Sequence, residues 1–147
     1  MVKQNDWATL HAKIKNCTEC SLASTRHNAV CGEGNRQASI MFIAQAPGEK
    51  EDLKGRMFLG PSGKIFRELL QNIDLDLEKC YLTNLLKCRL PSNRRPRKDE
   101  IHQCATYLYH EIELVQPNLL VLLGYYATRE IFRFYNLPIP ERRKFRE

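Results

Sequence analysis

The chain has 147 residues, of which 43% are hydrophobic and 27% charged, so it is one domain's worth at roughly 100–200 residues per domain, with the composition of an ordinary globular protein; disordered, collagen-like and coiled-coil classes are excluded. Lys and Arg number 23 against 17 Asp and Glu, a net charge of +6 and a pI near 9.1, which leaves an acidic partner such as nucleic acid open. The longest apolar run, Leu119 to Leu123, is far short of the ~20 residues of a membrane-spanning helix, and Met1 to Leu10 lacks the apolar stretch of a secretory signal, so the expected location is the cytoplasm, with nucleoid association in a prokaryote.

Trp7, Leu10 and Ile14 recur at helical spacing and predict an opening helix that ends at Asn16-Cys17-Thr18-Glu19-Cys20. Cys31-Gly32-Glu33-Gly34-Asn35 reads as a turn before the apolar run Ser39 to Ala44, a buried strand. That strand breaks at Gln45-Ala46-Pro47-Gly48. An acidic loop through Glu51, Asp52 and Gly55 then leads to Phe58-Leu59-Gly60-Pro61-Ser62-Gly63 and a helix with Ile65, Phe66, Leu69 and Leu70 on one face. Asp74 to Glu78 is a polar turn, and Cys80 to Leu86 a second strand, followed by a basic loop to Lys98. Asp99 is placed as the N-cap of a helix containing Ile101, Ala105, Leu108 and Ile112. Pro117 precedes a third strand, Leu119 to Leu123, ended by Gly124, and Ala127 to Tyr135 forms a last helix. Strands alternating with helices predict an α/β fold with a small parallel sheet covered on both faces, in which ligands bind beyond the carboxyl ends of the strands. Gln45, Asn84 and Gly124 fall at that rim.

Charge and cysteine are unevenly placed. Arg89, Arg94, Arg95, Arg97 and Lys98 crowd one loop, and Arg142, Arg143, Lys144 and Arg146 lie near the last residue. Such runs are often only solvated faces. Here Pro91, Asn93 and Pro96 hold the first run extended and aim its guanidinium groups, as phosphate contacts require. Six cysteines without a secretory signal argue against a disulfide framework, and a domain of this size buries enough surface to fold without a metal. Cys17 and Cys20 form a C-x2-C pair that reaches one metal from a single turn. Cys88 follows the second strand and Cys104 lies in the helix beyond, and together the four suit either tetrahedral zinc or an iron–sulfur cluster. Cys31 and Cys80 read as inert packing.

The runs Ala44-Gln45-Ala46-Pro47-Gly48-Glu49-Lys50-Glu51-Asp52, Gly55-Arg56-Met57-Phe58-Leu59-Gly60-Pro61-Ser62-Gly63 and Tyr81-Leu82-Thr83-Asn84-Leu85-Leu86-Lys87-Cys88-Arg89 resemble the iron–sulfur uracil-DNA glycosylases, family 4. Pro91-x-Asn93-Arg94-x-Pro96, Glu100-x-x-x-Cys104 and Leu122-Leu123-Gly124 follow in the same order, so the resemblance spans about residues 14–130 of a single domain, 1–147. It implies a three-layer α/β/α sandwich and a four-iron, four-sulfur (4Fe-4S) cluster on Cys17, Cys20, Cys88 and Cys104. It implies hydrolysis of the N-glycosidic bond of a uracil flipped out of DNA in base excision repair, since a base inside a duplex is out of reach.

On matching positions, Phe58 would stack on the uracil ring, and Asn84 would read its edge by donating to the C4 carbonyl and accepting from the N3 hydrogen. The amides around Gln45 and Ala46 would stabilise the departing anion. Gln45 stands where the family usually has an acidic residue. It can orient a water but cannot take its proton, so Glu51 or Asp52 would supply negative charge nearby. Arg89, Arg94, Arg95 and Arg97 would bind the DNA phosphates. The family continues beyond its third strand through a fourth, edge strand into a His-Pro-Ser type segment. Neither follows in this sequence, and none of His11, His27, His102 or His110 occupies a matching position. The expectation is therefore a sheet lacking its last edge strand, covered by the residues from Arg142 onward or paired with a second copy in an otherwise monomeric protein. Two other readings stay open: a DNA-binding module of the same fold with little or no catalysis, and a zinc-stabilised nucleic-acid-binding domain.

Overall fold

The computed structural model describes residues 2–142, with side chains from residue 5. Arg143, Lys144 and Arg146, three of the basic residues expected to cover the sheet edge, lie outside the described residues.

A 4-stranded sheet in the order β1-β3-β2-β4 is built from β1 (Glu33–Gly34), β2 (Ile40–Ala44), β3 (Tyr81–Asn84) and β4 (Leu119–Leu122). The apolar run of β2 has parallel neighbours on both sides, in register Ala44↔Asn84 with β3 and Ile43↔Leu122 with β4, as a strand buried on both faces should. Alternation sends its side chains to two cores. Met41 and Ile43 pack with Tyr81, Leu120 and Leu122 against α1 (Val2–Lys15), α4 (Lys98–Val115) and α5 (Tyr125–Phe134). Phe42, with Ile40, Leu82 and Val121, packs against Phe66 and Leu70 of α3 (Pro61–Asn72). The result is the expected α/β/α sandwich.

Several local expectations change. The turn at Cys31–Asn35 contains β1, which pairs antiparallel with β3 as Glu33↔Leu82 and Gly34↔Tyr81, so the sheet is mixed rather than wholly parallel. Two residues suffice to cap the β3 edge, and Gly34 permits it: at φ +115° a Cβ there would lie 2.3 Å from the Cys80 carbonyl oxygen. The acidic loop is a short helix, α2 (Glu49–Lys54). On α3, Phe66 and Leu70 face the sheet but Ile65 and Leu69 are 59% exposed. A step of about 100° per residue turns position 65 away from 66, and Gly63 on the buried side brings the helix close to the loop before it. Arg97, not Asp99, is the N-cap of α4, and the Arg97 amide donates to Glu100 at 2.8 Å. β4 is the edge strand on the β2 side, with Leu119 exposed.

Chain direction sets the site. From β2 the chain passes by α3 to β3 on one side, then returns across β2 by α4 to β4 on the other. The carboxyl end of β2 is thus a topological switch point, where open α/β sheets leave a crevice.

Candidate active site

The crevice is occupied by a pocket. It is lined by Ala44 to Glu51 after β2, by Met57, Phe58 and Gly60 to Gly63 where α3 begins, and by Asn84, Arg89, Leu90 and Asn93 after β3. Main-chain bonds continue the ladder past the strands: the Leu85 amide donates to the Ala44 carbonyl at 2.8 Å and the Leu86 amide to the Gln45 carbonyl at 2.9 Å. Gln45 and Ala46 are thereby fixed beside Asn84.

Asn84 is 3% exposed, and its carboxamide donates to the Met57 thioether at 3.3 Å. A thioether is a weak acceptor, so the amide is held in place with most of its hydrogen-bonding capacity still to be used. Phe58 is half-buried with a left-handed φ of 52°, uncommon for a bulky residue and found where surroundings over-determine the backbone. Its ring stacks on Phe66 at 4.5 Å between centroids, 20° from parallel. Gly63 holds that geometry: a Cβ there would lie 2.4 Å from the Phe58 carbonyl carbon and oxygen.

Glu51, from α2, is buried in the same wall. Its Oε1 accepts from the Leu59 amide at 3.0 Å and the Gly60 amide at 2.9 Å, fastening the Phe58 loop. Asp52 faces away from the pocket. It accepts from the amides of His27 at 2.9 Å and Asn28 at 3.2 Å and pairs with the His27 ring at 2.8 Å, so of the two carboxylates expected near the site only Glu51 lines it.

The basic loop divides. Arg89 lines the pocket; its Nε is buried with no partner among the described residues, and its Nη1 lies 3.7 Å from Glu49. Arg95 and Arg97 are exposed. Arg94 turns inward, its guanidinium gripping the buried Glu100 carboxylate at 2.9 and 2.5 Å. A pair of that geometry is a clamp on the loop, and it leaves Arg94 poorly placed for the phosphate contact expected of it.

A second, more enclosed cavity lies where the end of α1, the segment after β3 and α4 converge. Cys17, Cys20, Cys88 and Cys104 all line it, with Ile14, Leu22 and Tyr107 among its other walls. Cys31 and Cys80 do not. The Lys87 amide donates to Cys104 Sγ at 3.2 Å and Arg26 Nη1 to Cys88 Sγ at 3.3 Å, which suits sulfur atoms carrying negative charge. Burial pushes the Cys20 and Cys88 thiols up, and Cys104 up to about 12; loading a metal here would displace protons. Among the described residues no three His, Cys, Asp or Glu groups gather around a point fit for a single metal ion. Four cysteines from three segments around one cavity are a donor set of the kind that holds a sulfur-ligated metal group.

The family model of the uracil DNA glycosylase superfamily matches residues 31–145. The chain belongs to that superfamily. Among its relatives within uracil-DNA glycosylases, the type-4 enzyme of Archaeoglobus fulgidus is 44% identical over 125 residues, 85% of this chain and 63% of that protein. The type-4 enzyme of Saccharolobus solfataricus is 44% identical over 126 residues, 85% of this chain and 58% of that protein. That of Thermotoga maritima is 41% identical over 112 residues, 76% of this chain and 58% of that protein. The chain thus spans between 58% and 63% of the length of these relatives. For a uracil-DNA glycosylase superfamily member, the residues the sequence left unmarked are Met57, which steadies Asn84, and the buried pair Lys87–Glu111 behind it. Nothing in a linear reading separates Lys87 from the basic residues around it.

Proposed function

We propose that this protein is a uracil-DNA glycosylase that hydrolyses the N-glycosidic bond of a uracil flipped out of DNA, releasing the free base and leaving an abasic site. The observation that carries the reading is the meeting of Gln45, Ala46, Phe58 and Asn84, from three separate segments, in one pocket at the switch point of the sheet. A flipped uracil lying on the Phe58 ring would present its C4 carbonyl and N3 hydrogen to the Asn84 carboxamide. Cytosine carries the opposite polarity at both atoms, and a site built on such bonds discriminates by ~10⁴ or more.

As the bond lengthens, its electron pair moves to N1 of the base and positive charge grows on the sugar. Gln45 orients the attacking water, the amides around Gln45 and Ala46 face the departing anion, and the Glu51 carboxylate favours the sugar cation. The water oxygen bonds to C1′ and its proton is lost to solvent. Arg89, Arg95 and Arg97 hold the phosphates. Cys17, Cys20, Cys88 and Cys104 would hold a 4Fe-4S cluster, which when bound supplies a cross-link between the N-terminal segment, the segment after β3 and α4, and no redox step.

Incubation with a uracil-containing oligonucleotide followed by alkali tests the reading, with strand cleavage at the uracil as the expected result. Intact DNA with retained binding would instead mark a DNA-binding module. Iron and acid-labile sulfide in a brown protein support the cluster; a colourless protein with stoichiometric zinc would refute it.

A further inference from the structure

Lys87 lies three residues beyond β3 and points into the protein. Its side chain is 1% exposed, and its ammonium donates to three oxygens: Glu111 Oε2 at 2.7 Å, Thr83 Oγ1 at 2.7 Å and the main-chain carbonyl of Asn84 at 2.8 Å. All three of its protons are thereby used. Glu111, fully buried on α4, also accepts from Thr83 Oγ1 at 2.7 Å, from the Gly32 amide at 3.1 Å and from the Tyr81 hydroxyl at 3.3 Å.

Stability is a weak reason for such a pair, because apolar residues of similar volume usually do as well or better in its place. What an apolar residue cannot do is donate to the Asn84 carbonyl. The Asn84 side chain is itself lightly restrained, by a thioether, so its aim depends on the peptide planes that carry it. One of those planes is held from both sides, by the Leu85 amide on the Ala44 carbonyl and by Lys87 on the Asn84 carbonyl.

We infer that Lys87 is a positioning residue for Asn84: anchored by Glu111 and Thr83, it fixes the Asn84 carbonyl and so the direction in which the Asn84 carboxamide meets the edge of the base. The inference rests on the uracil-releasing reading above. It also gives the cysteine-lined cavity a physical link to the base pocket, since the main-chain amide of the same lysine donates to Cys104.

The test compares variants of the full chain for uracil release, with DNA affinity, melting temperature and visible absorption measured alongside. Lys87→Met combined with Glu111→Gln removes both buried charges together and leaves an amide oxygen for Gly32 and Tyr81. It is expected to lower kcat by about 10²-fold, the cost of a misplacement of about 1 Å, with KM and absorption retained and selectivity for uracil over cytosine reduced. Tyr81→Phe, which touches Glu111 but not the Asn84 carbonyl, is the control and is expected to keep its kcat. Should the double variant not fold, Thr83→Val removes one anchor of the ammonium without stranding a charge. It is expected to lower kcat at constant KM, and to add nothing on an Asn84→Ala background. A double variant, or a Thr83→Val variant, whose kcat and selectivity match wild type overturns the inference. So does an activity loss that follows melting temperature equally in Thr83→Val and Tyr81→Phe. An inactive wild type overturns the uracil reading itself, and this inference with it.

Discussion

At the scale of single residues the pocket is an argument about unused hydrogen bonds. A buried carboxamide costs free energy unless it is paired, and among the described residues the Asn84 side chain is given only the Met57 thioether. A base with a donor and an acceptor in the right order would complete it. Asn84→Asp replaces the donor at the C4 carbonyl with a carboxylate oxygen, which repels that carbonyl. We expect kcat/KM for uracil to fall by at least about 10²-fold, the usual cost of removing one aimed donor, with DNA affinity unchanged, in a single-turnover release assay beside a binding titration. An unaltered rate would remove Asn84 from base reading. Phe58 complements it: a left-handed backbone and a ring stacked on Phe66 leave the other ring face as a platform, and stacking on an aromatic is worth ~1–3 kcal/mol per base.

At the scale of elements, two contacts hold the site's loops, and each makes a prediction. Gly63→Ala would drive a methyl into the Phe58 carbonyl, 2.4 Å away, so α3 and the Phe58 loop must separate; uracil release is expected to fall with a rise in KM, and melting to drop, while the visible absorption expected of the proposed cluster is kept. The second contact is Arg94–Glu100. Hydrogen bonds from Arg94 hold the Glu100 carboxyl below its usual 4.5 against the opposing effect of burial, helped by the Arg97 amide. A folded-state pKa below the unfolded one stabilises fully above that value and is lost as pH falls through the folded pKa. Glu100→Gln should therefore be less stable than wild type at neutral pH, and the gap should close as pH drops below about 4.5, as followed by denaturant melts; a gap independent of pH would contradict the assignment.

The same contacts show what could be read from the sequence. Apolar runs and their alternation with helices located β2, β3, β4 and the layers, because burial on two faces writes itself into composition. The segments that meet in the pocket and the four cysteines that line the second cavity stood in motifs whose spacing survives folding. The inward turn of Arg94 and the burial of Lys87 were not, since a cation beside other cations has the same linear appearance whether its partner is solvent or a carboxylate on another helix. Ile65 and Leu69 were misread for a related reason: α3 carries more apolar residues than its buried face uses.

For the whole molecule, the excess of +6 matters through where it sits. Arg89 lines the pocket, and Arg95 and Arg97 are exposed on the loop that leaves it, so a strand whose base occupied the pocket would run past them. Arg94 is equally charged and equally near in sequence, yet it is committed to Glu100. Counterion release separates the two cases: each phosphate neutralised contributes about −0.9 to the slope of log K against log salt for a duplex and about −0.7 for a single strand. Arg95→Ala with Arg97→Ala should flatten the slope by about 1.8 on duplex DNA if each contacts one phosphate, and should weaken binding alike for uracil-containing and ordinary DNA, because phosphates carry no base identity. Arg94→Ala should leave the slope unchanged while lowering the melting temperature, since it strands the buried Glu100 carboxylate. Titrating a labelled oligonucleotide across a salt series with these variants measures both effects. Equal flattening by Arg94→Ala and the Arg95/Arg97 pair would return Arg94 to the DNA surface and remove the division of the loop.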